Sequence, residues 1–260
     1  MKMMIKLAAV AAIAFSANSA NAVTCIGTCG TLAPNGVVTA PPSGGPNYEY
    51  VSTSGGVNGA GQISSAGGTN GSELTTDLFT AAVGDPLNFF FNFVTSDGAG
   101  FSDYGFAQLL DSSNTSVGFL FTARTIPSGN TSPGFNLPPN ISTLTPLTSP
   151  IIGGGPAWSA LGSDSGRCFS SGCGYTGWIQ STYNFTAAGS YKIRFGTTNS
   201  IDTIYQSGLA FSGLKIANVE IPTGTGAVPE PTTWMMMLLG MGAIGYSLRR
   251  KKPVALAQFA

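Results

Sequence analysis

The chain has 260 residues, 11 basic and 11 acidic side chains, and no histidine. The lack of histidine excludes a Ser-His-Asp triad, a Cys-His pair, a histidine general base and any histidine-ligated zinc within the chain. Six of the bases, Lys2, Lys6, Arg249, Arg250, Lys251 and Lys252, and the single acid Glu230 lie in the two ends, leaving five bases against ten acids between them; so acidic a body offers no basic patch for nucleic acid.

Residues 1–22 read as a secretory signal peptide. Lys2 and Lys6 make a basic start, 7–15 are apolar, and Ala20-Asn21-Ala22 supplies the small-x-small pattern for signal peptidase after Ala22. The expected partners are therefore the Sec machinery and signal peptidase. Residues 23–47, rich in Pro and Gly without an apolar period, read as an extended lead-in segment, and the body is expected over 48–222. Its Gly, Ser, Thr, Asn and aromatic residues favour strands and turns over helices.

Within the body, Pro86 to Thr95 is nearly all apolar, as expected of a central strand buried on both faces. Residues 105–110 and 117–122 flank the turn Asp111-Ser112-Ser113-Asn114 and predict a hairpin. Residues 128–156 hold six prolines and predict a long loop or covering segment. Residues 177–185 and 190–197 predict a second hairpin, since Tyr191, Ile193 and Phe195 alternate with Lys192 and Arg194. The last strand or pair of strands falls over 209–221, with Leu214 and Ile216 on one face and Val219 and Ile221 on the other. The fold class is all-β: a single antiparallel β-sandwich, jelly-roll-like, with a signal helix before it and a transmembrane helix after it.

The four cysteines form two close pairs, Cys25/Cys29 and Cys168/Cys173, which in an exported chain read as disulfides. An all-cysteine zinc site would need both pairs to meet. Asp97 and Asp103, with Asp111 or Asp202, could furnish oxygens for calcium, against the plainer role of capping turns; no cofactor is otherwise indicated. Trp158, Trp178, Tyr175 and Tyr183 could stack on sugar rings if exposed, against the plainer role of core packing; Trp178 and Tyr175 are the ligand candidates. A glycosidase would need two paired carboxylates, which the sequence does not pair. No catalytic residue is assigned, and the protein is expected not to be an enzyme.

Residues 223–228 make a flexible linker. Pro229-Glu230-Pro231 is stiff and extended. Trp234 then opens an apolar span, 234–248, that predicts a transmembrane helix containing Gly240, Gly242 and Gly245, and Arg249, Arg250, Lys251 and Lys252 form the membrane stop on the cytoplasmic side. In this order the parts over 229–252 resemble the PEP-CTERM sorting signal of Gram-negative bacteria, in the variant with Trp after the tripeptide. The resemblance implies transient anchoring in the inner membrane, processing by exosortase, and delivery to the cell surface or extracellular matrix. One departure is the tail 253–260, since such chains usually stop at the basic cluster. The body is similar to exported domains that travel with this signal, in Thr95-Ser96-Asp97-Gly98, Phe101-Ser102-Asp103-Tyr104, 172–178 and 199–211. The leading expectation is a non-catalytic surface or matrix protein. The alternative is a carbohydrate-binding module of the extracellular polysaccharide, and behind it a carboxylate-based glycan hydrolase.

Overall fold

The structure, a computed structural model, describes residues 23–223 and 237–242. The chain divides into two compact units, 1–223 and 224–260. Residues 237–242 of the second are helical. Among the described residues no helix is long and apolar enough to cross a membrane. The signal peptide with Ala20 and Ala22, the Pro229–Pro231 tripeptide, Trp234, the remainder of the 234–248 span and the cluster Arg249–Lys252 lie outside the described residues.

The first unit contains two large antiparallel sheets, with strands numbered in chain order. One runs β1 (Thr24–Ile26), β5 (Asn70–Thr75), β16 (Gly189–Thr198), β8 (Tyr104–Asp111), β9 (Ser116–Arg124), with β4 (Val57–Asn58) beside β5 and β6 (Phe79–Ala81) beside β16. The other runs β11 (Thr143–Thr145), β15 (Ile179–Asn184), β7 (Pro86–Thr95), β17 (Ser207–Ile216), β3 (Tyr48–Ser52), β2 (Thr28–Leu32), with β13 (Ile152–Gly153), β14 (Gly174–Tyr175) and β18 (Val219–Glu220) attached. A separate small ladder joins β10 (Asn130–Ser132) to β12 (Ser149–Pro150). Numbered one to eight along the chain, β3, β5, β7, β8, β9, β15, β16 and β17 give the orders 6-3-8-1 and 2-7-4-5, the interleaved Greek keys of a jelly roll.

The sheets face each other across a phenylalanine-rich core. Phe91 of β7 stacks on Phe121 of β9 with ring centroids 3.6 Å apart, and Phe195 of β16 stacks on Phe211 of β17 at 3.9 Å. Both pairs join one sheet to the other, where burial of such rings contributes most. Leu87, Phe89, Phe91 and Phe93 alternate into this core. On the opposite face of the same sheet, Val94, Ala210 and Tyr48 pack with Val38, Trp158 and Leu161 from segments laid over it. That cover is why β7 reads as apolar on both faces.

Several sequence expectations are corrected. The hairpin of 105–110 and 117–122 is present as β8 and β9. The second expected hairpin is not: β15 pairs with β7 and β11, whereas β16 pairs with β5, β6 and β8. Both strands exist, but the chain arches from one sheet to the other at residues 185–188, and each strand finds a distant partner. Phe185, 2% exposed, closes that end of the core against Tyr183 and Tyr191. The extended lead-in segment 23–47 holds β1 and β2. The covering segment 128–156 holds four short strands, β10 to β13. After the turn at Ala217 and Asn218, both at positive φ, Ile221 returns to the core with Leu214 and Ile216, and only Val219 faces solvent.

Both disulfides are present, Cys25–Cys29 and Cys168–Cys173. The first marks a corner where the chain leaves β1 in one sheet and enters β2 in the other. Gly27 sits at that corner with φ +81°. A Cβ there would lie 2.3 Å from Ser72 Oγ.

Candidate functional site

The jelly-roll order brings four connections to one rim: 53–69, 96–103, 199–206, and part of the long segment between β9 and β15. The registers fix this, because Thr95 pairs with Ser207 and Gly174, Thr198 with Tyr104 and Gly71, and Tyr104 with Arg124. Asp97 and Asp103 bound one connection, Asp202 lies in another, and Asp164 comes from the 3-10 segment Ser159–Asp164.

Asp103 is fully buried, with Oδ1 accepting the Ser200 N–H at 2.8 Å and Oδ2 lying 2.7 Å from Ser207 Oγ. Ser207 Oγ is also 2.7 Å from Thr95 Oγ1. Asp97 is equally buried, yet only Oδ1 has a donor, the Gly98 N–H at 2.6 Å, and Oδ2 has no partner. Burial raises the Asp97 pKa to about 7, with repulsion from Asp202 and Asp164 adding to it against the Gly98 bond. Burial likewise holds Asp103 well above the usual carboxylate range, and the charge of Asp97 adds to it.

Asp164 accepts the Gln206 N–H at 3.2 Å through Oδ2 and faces Arg167 Nη1 at 3.5 Å through Oδ1. Asp202 Oδ1 accepts the Ile204 N–H at 3.1 Å, and its carbonyl accepts from the Thr69 hydroxyl. The calcium candidates Asp97, Asp103 and Asp202 thus reach one rim, where both Asp103 oxygens and one oxygen each of Asp97 and Asp202 accept local hydrogen bonds, and Asp97 Oδ2 is left without a partner. Among the described residues, no three His, Cys, Asp or Glu side chains form a group able to hold a metal. Asp111 lies elsewhere and caps its own turn, accepting the Ser113 and Thr115 N–H groups at 2.8 Å each.

Above the aspartates lies a row of rings. Phe101 meets Phe169 edge-on at 5.3 Å between centroids, and Phe169 meets Tyr205 at 5.0 Å. Phe169 is 47% exposed, and Ile201 and Ile204 beside it are 69% and 56% exposed. Phe169 is held inside the Cys168–Cys173 loop, where its N–H donates to Ser96 O and the Ala99 N–H donates to Ser171 O, both at 2.9 Å. Ile201 and Tyr205 have φ of +69° and +56°. Such conformations cost on the order of 1–3 kcal/mol each and cluster where a loop is shaped for binding.

The sequence did not single out these rings. Its place between two cysteines with a sequence separation of 5 was the available signal for Phe169; nothing local marked Tyr205. The ligand candidates Trp178 and Tyr175 sit instead on the covered face of the second sheet. Trp178 donates from Nε1 to Thr39 O at 3.1 Å and packs edge-on to Tyr48 at 5.9 Å. Tyr175 packs against the same cluster. Trp158 is 1% exposed, and Tyr183 packs on Phe185. Trp158, Trp178 and Tyr175 thus help hold the cover down, and Tyr183 belongs to the end of the main core.

Residues 227–251 match the family model of the PEP-CTERM protein-sorting motif, an exosortase recognition signal that implies export and sorting. No curated protein matches the chain by sequence. Among solved structures the chain is similar to the enzymatically active domain of bacteriophage CBA120 tailspike protein 4, at 8% identity and TM-score 0.31, over 75% of this chain and 18% of that one. It is similar to the K3 cleaved adhesin domain of Lys-gingipain from Porphyromonas gingivalis W83, at 12% identity and TM-score 0.30, over 72% of this chain and 90% of that one. It is also similar to an exo-β-agarase, at 13% identity and TM-score 0.29, over 79% of this chain and 25% of that one. It therefore spans only a small part of the tailspike and the agarase, and likeness at this level carries no argument about activity.

Proposed function

We propose that this carrier of a PEP-CTERM motif is anchored transiently in the inner membrane by the span 234–248, processed by exosortase at the Pro229-Glu230-Pro231 region, and delivered to the cell surface or extracellular matrix, where its jelly-roll body acts without catalysis. The motif over 227–251 carries this reading. Two further features support it. Both cysteine pairs are joined, in keeping with an oxidising compartment outside the cytoplasm. Four body carboxylates are engaged in local structure: Asp85 Oδ2 accepts the Ala82 N–H at 2.7 Å, and Asp111, Asp202 and Asp103 accept backbone N–H groups as described.

The test is a Pro229→Ala, Glu230→Ala, Pro231→Ala variant followed by blotting of membrane and released fractions. The expected result is an unprocessed form held in the membrane. Normal processing and release of the variant would overturn the reading.

A further inference from the structure

We infer that the groove walled by Leu78, Ile216, Val219 and Pro222, at the end of the body from which the chain leaves, docks an apolar exoplasmic segment of the exosortase that processes this chain. The inference deepens the sorting proposal above and rests on it.

The groove lies at the end of the sandwich away from the rim of Asp97 and Asp103. β7 runs from Pro86 at this end to Thr95 at the rim, and β17 runs back from Ser207 to Ile216. One wall is formed by residues 77–80, entering β6; the other is the turn from β17 into β18 and the residues after it. The space between them is about 510 Å³, room for a few side chains of a partner. Apolar surface is left in water there, since Val219 is 70% and Leu78 37% exposed. The second wall is fixed in shape. Ala217 and Asn218 turn the chain at φ of +46° and +67°, conformations that cost energy for residues with a side chain. The Ala217 N–H donates to Pro86 O at 2.9 Å, and the Ile221 N–H donates to Leu214 O at 3.0 Å. A groove held in this way loses little entropy when it is filled.

The occupant follows from the tether. Pro222 in the groove wall is followed by Thr223, the linker 224–228 and then Pro229 of the tripeptide. The steps from Thr223 to Pro229 span at most about 22 Å. An enzyme acting at the tripeptide therefore works within that reach of the groove's edge. So short a tether raises the effective concentration of the second site to the order of mM, where contact by two or three side chains is enough to matter. A lipid surface is the less favoured occupant. Asp85 and Glu220 line the groove, Lys215 beside it is paired with Glu220 at 3.5 Å, and burial raises the Asp77 pKa. Interfacial binding instead draws on unpaired Lys and Arg around a continuous apolar face. A second copy is less favoured too, because two recessed grooves do not fill one another.

The test follows processing of the full-length chain by pulse-chase and blotting in cells that carry the exosortase. Val219→Glu should slow processing about threefold to tenfold. Val219→Ile, and Ile204→Glu on the far rim, should keep the parent rate. Signal-peptide removal should be equal in all, and circular dichroism of the purified chains should show them folded. Inserting about twenty Gly and Ser residues after Thr223 should slow the parent but slow Val219→Glu no further, because a long tether forfeits the docked site. A photo-reactive residue in place of Val219 should cross-link to exosortase, and one in place of Ile204 should not. Parent-rate processing of Val219→Glu, equal slowing by Ile204→Glu, equal slowing of parent and Val219→Glu by the insertion, or cross-links from position 219 only to lipid or to a second copy would each overturn the inference. Any of these results with the tripeptide variant still unprocessed leaves the sorting proposal standing, whereas normal processing of the tripeptide variant removes both.

Discussion

Asp97 and Asp103 bound the same short connection and are both fully buried, but only Asp103 has both carboxyl oxygens hydrogen bonded. The unpaired Oδ2 makes Asp97 the strained member. Its folded pKa of about 7 exceeds the ordinary aspartate value of 3.8. The folded state therefore holds the proton more tightly than the unfolded chain. Its stabilising effect is fully present below about pH 4 and is lost as pH rises through about 7. Asp97→Asn cannot ionise, so its stability relative to the parent should rise by on the order of 2 kcal/mol between pH 4 and pH 8, starting at or below the parent near pH 4 because the new amide needs a partner too. Urea midpoints at the two pH values measure this; parallel pH profiles for parent and variant would refute it. Asp103 is shifted in the same direction, so a shallower decline should persist in Asp97→Asn.

The Ser207 hydroxyl bridges Asp103 and Thr95 inside the rim, 2.7 Å from each. Ser207→Ala removes it and leaves a buried carboxyl oxygen unpaired, a loss of about 1–3 kcal/mol. In an Asp103→Asn background the same change should cost less, because the carboxyl group it serves is gone. A double-mutant cycle from denaturant unfolding should give a coupling above about 0.5 kcal/mol. Strict additivity would mean that the hydroxyl does not serve Asp103.

Much of the fold was legible because strand periodicity is local. The run Leu87 to Val94 and the alternation at Tyr191, Ile193 and Phe195 identify β7 and β16 from their own residues. Pairing is not local in a jelly roll, where among the eight long strands only β8 and β9 are both consecutive and paired. The turn at 186–189 therefore resembles that of a hairpin while serving an arch. The candidate site was half legible. Asp97, Asp103 and Asp202 could be named from their turn contexts, but the fate of Asp103 depends on Ser200 and Ser207, roughly a hundred residues away. Trp178 could be named as a ring able to stack on sugar if exposed, whereas its partner Thr39 lies far away in the lead-in segment. The row of Phe101, Phe169 and Tyr205 is assembled from three separate connections, and no spacing rule relates them.

Trp158 pins the cover over the second sheet. Its Nε1 donates to the Tyr48 hydroxyl at 2.9 Å, and its ring rests on Gly208, where a Cβ would come within 2.5 Å of it. Trp158→Phe should cost about 1–3 kcal/mol by leaving the buried Tyr48 oxygen without this donor, and Gly208→Ala should displace the same ring through contact alone. Hydrogen exchange should quicken in residues 156–165 in both variants, with rim residues 199–206 less affected. Equal loosening of both regions would show that the cover and the rim open as one unit.

The corner between β1 and β2 separates a covalent tie from a packing requirement. Cys25 and Cys29 close a loop with a sequence separation of 4, and chain-entropy reasoning assigns such a loop about 2 kcal/mol. Gly27 lies between them. Ser72 Oγ accepts the Thr28 N–H at 2.8 Å and donates to Ser52 O at 2.6 Å, tying β5 of one sheet to β2 and β3 of the other. A Cβ on Gly27 would meet that oxygen at 2.3 Å, at a φ of +81° that side chains resist. Gly27→Ala should therefore destabilise by more than about 2 kcal/mol, through both strain and the lost bridge. The penalty should persist in Cys25→Ser, Cys29→Ser, because the clash does not depend on the disulfide. Guanidinium unfolding of the three variants would decide it: a Gly27→Ala penalty that vanished without the disulfide would place the constraint in the covalent loop and not in Ser72.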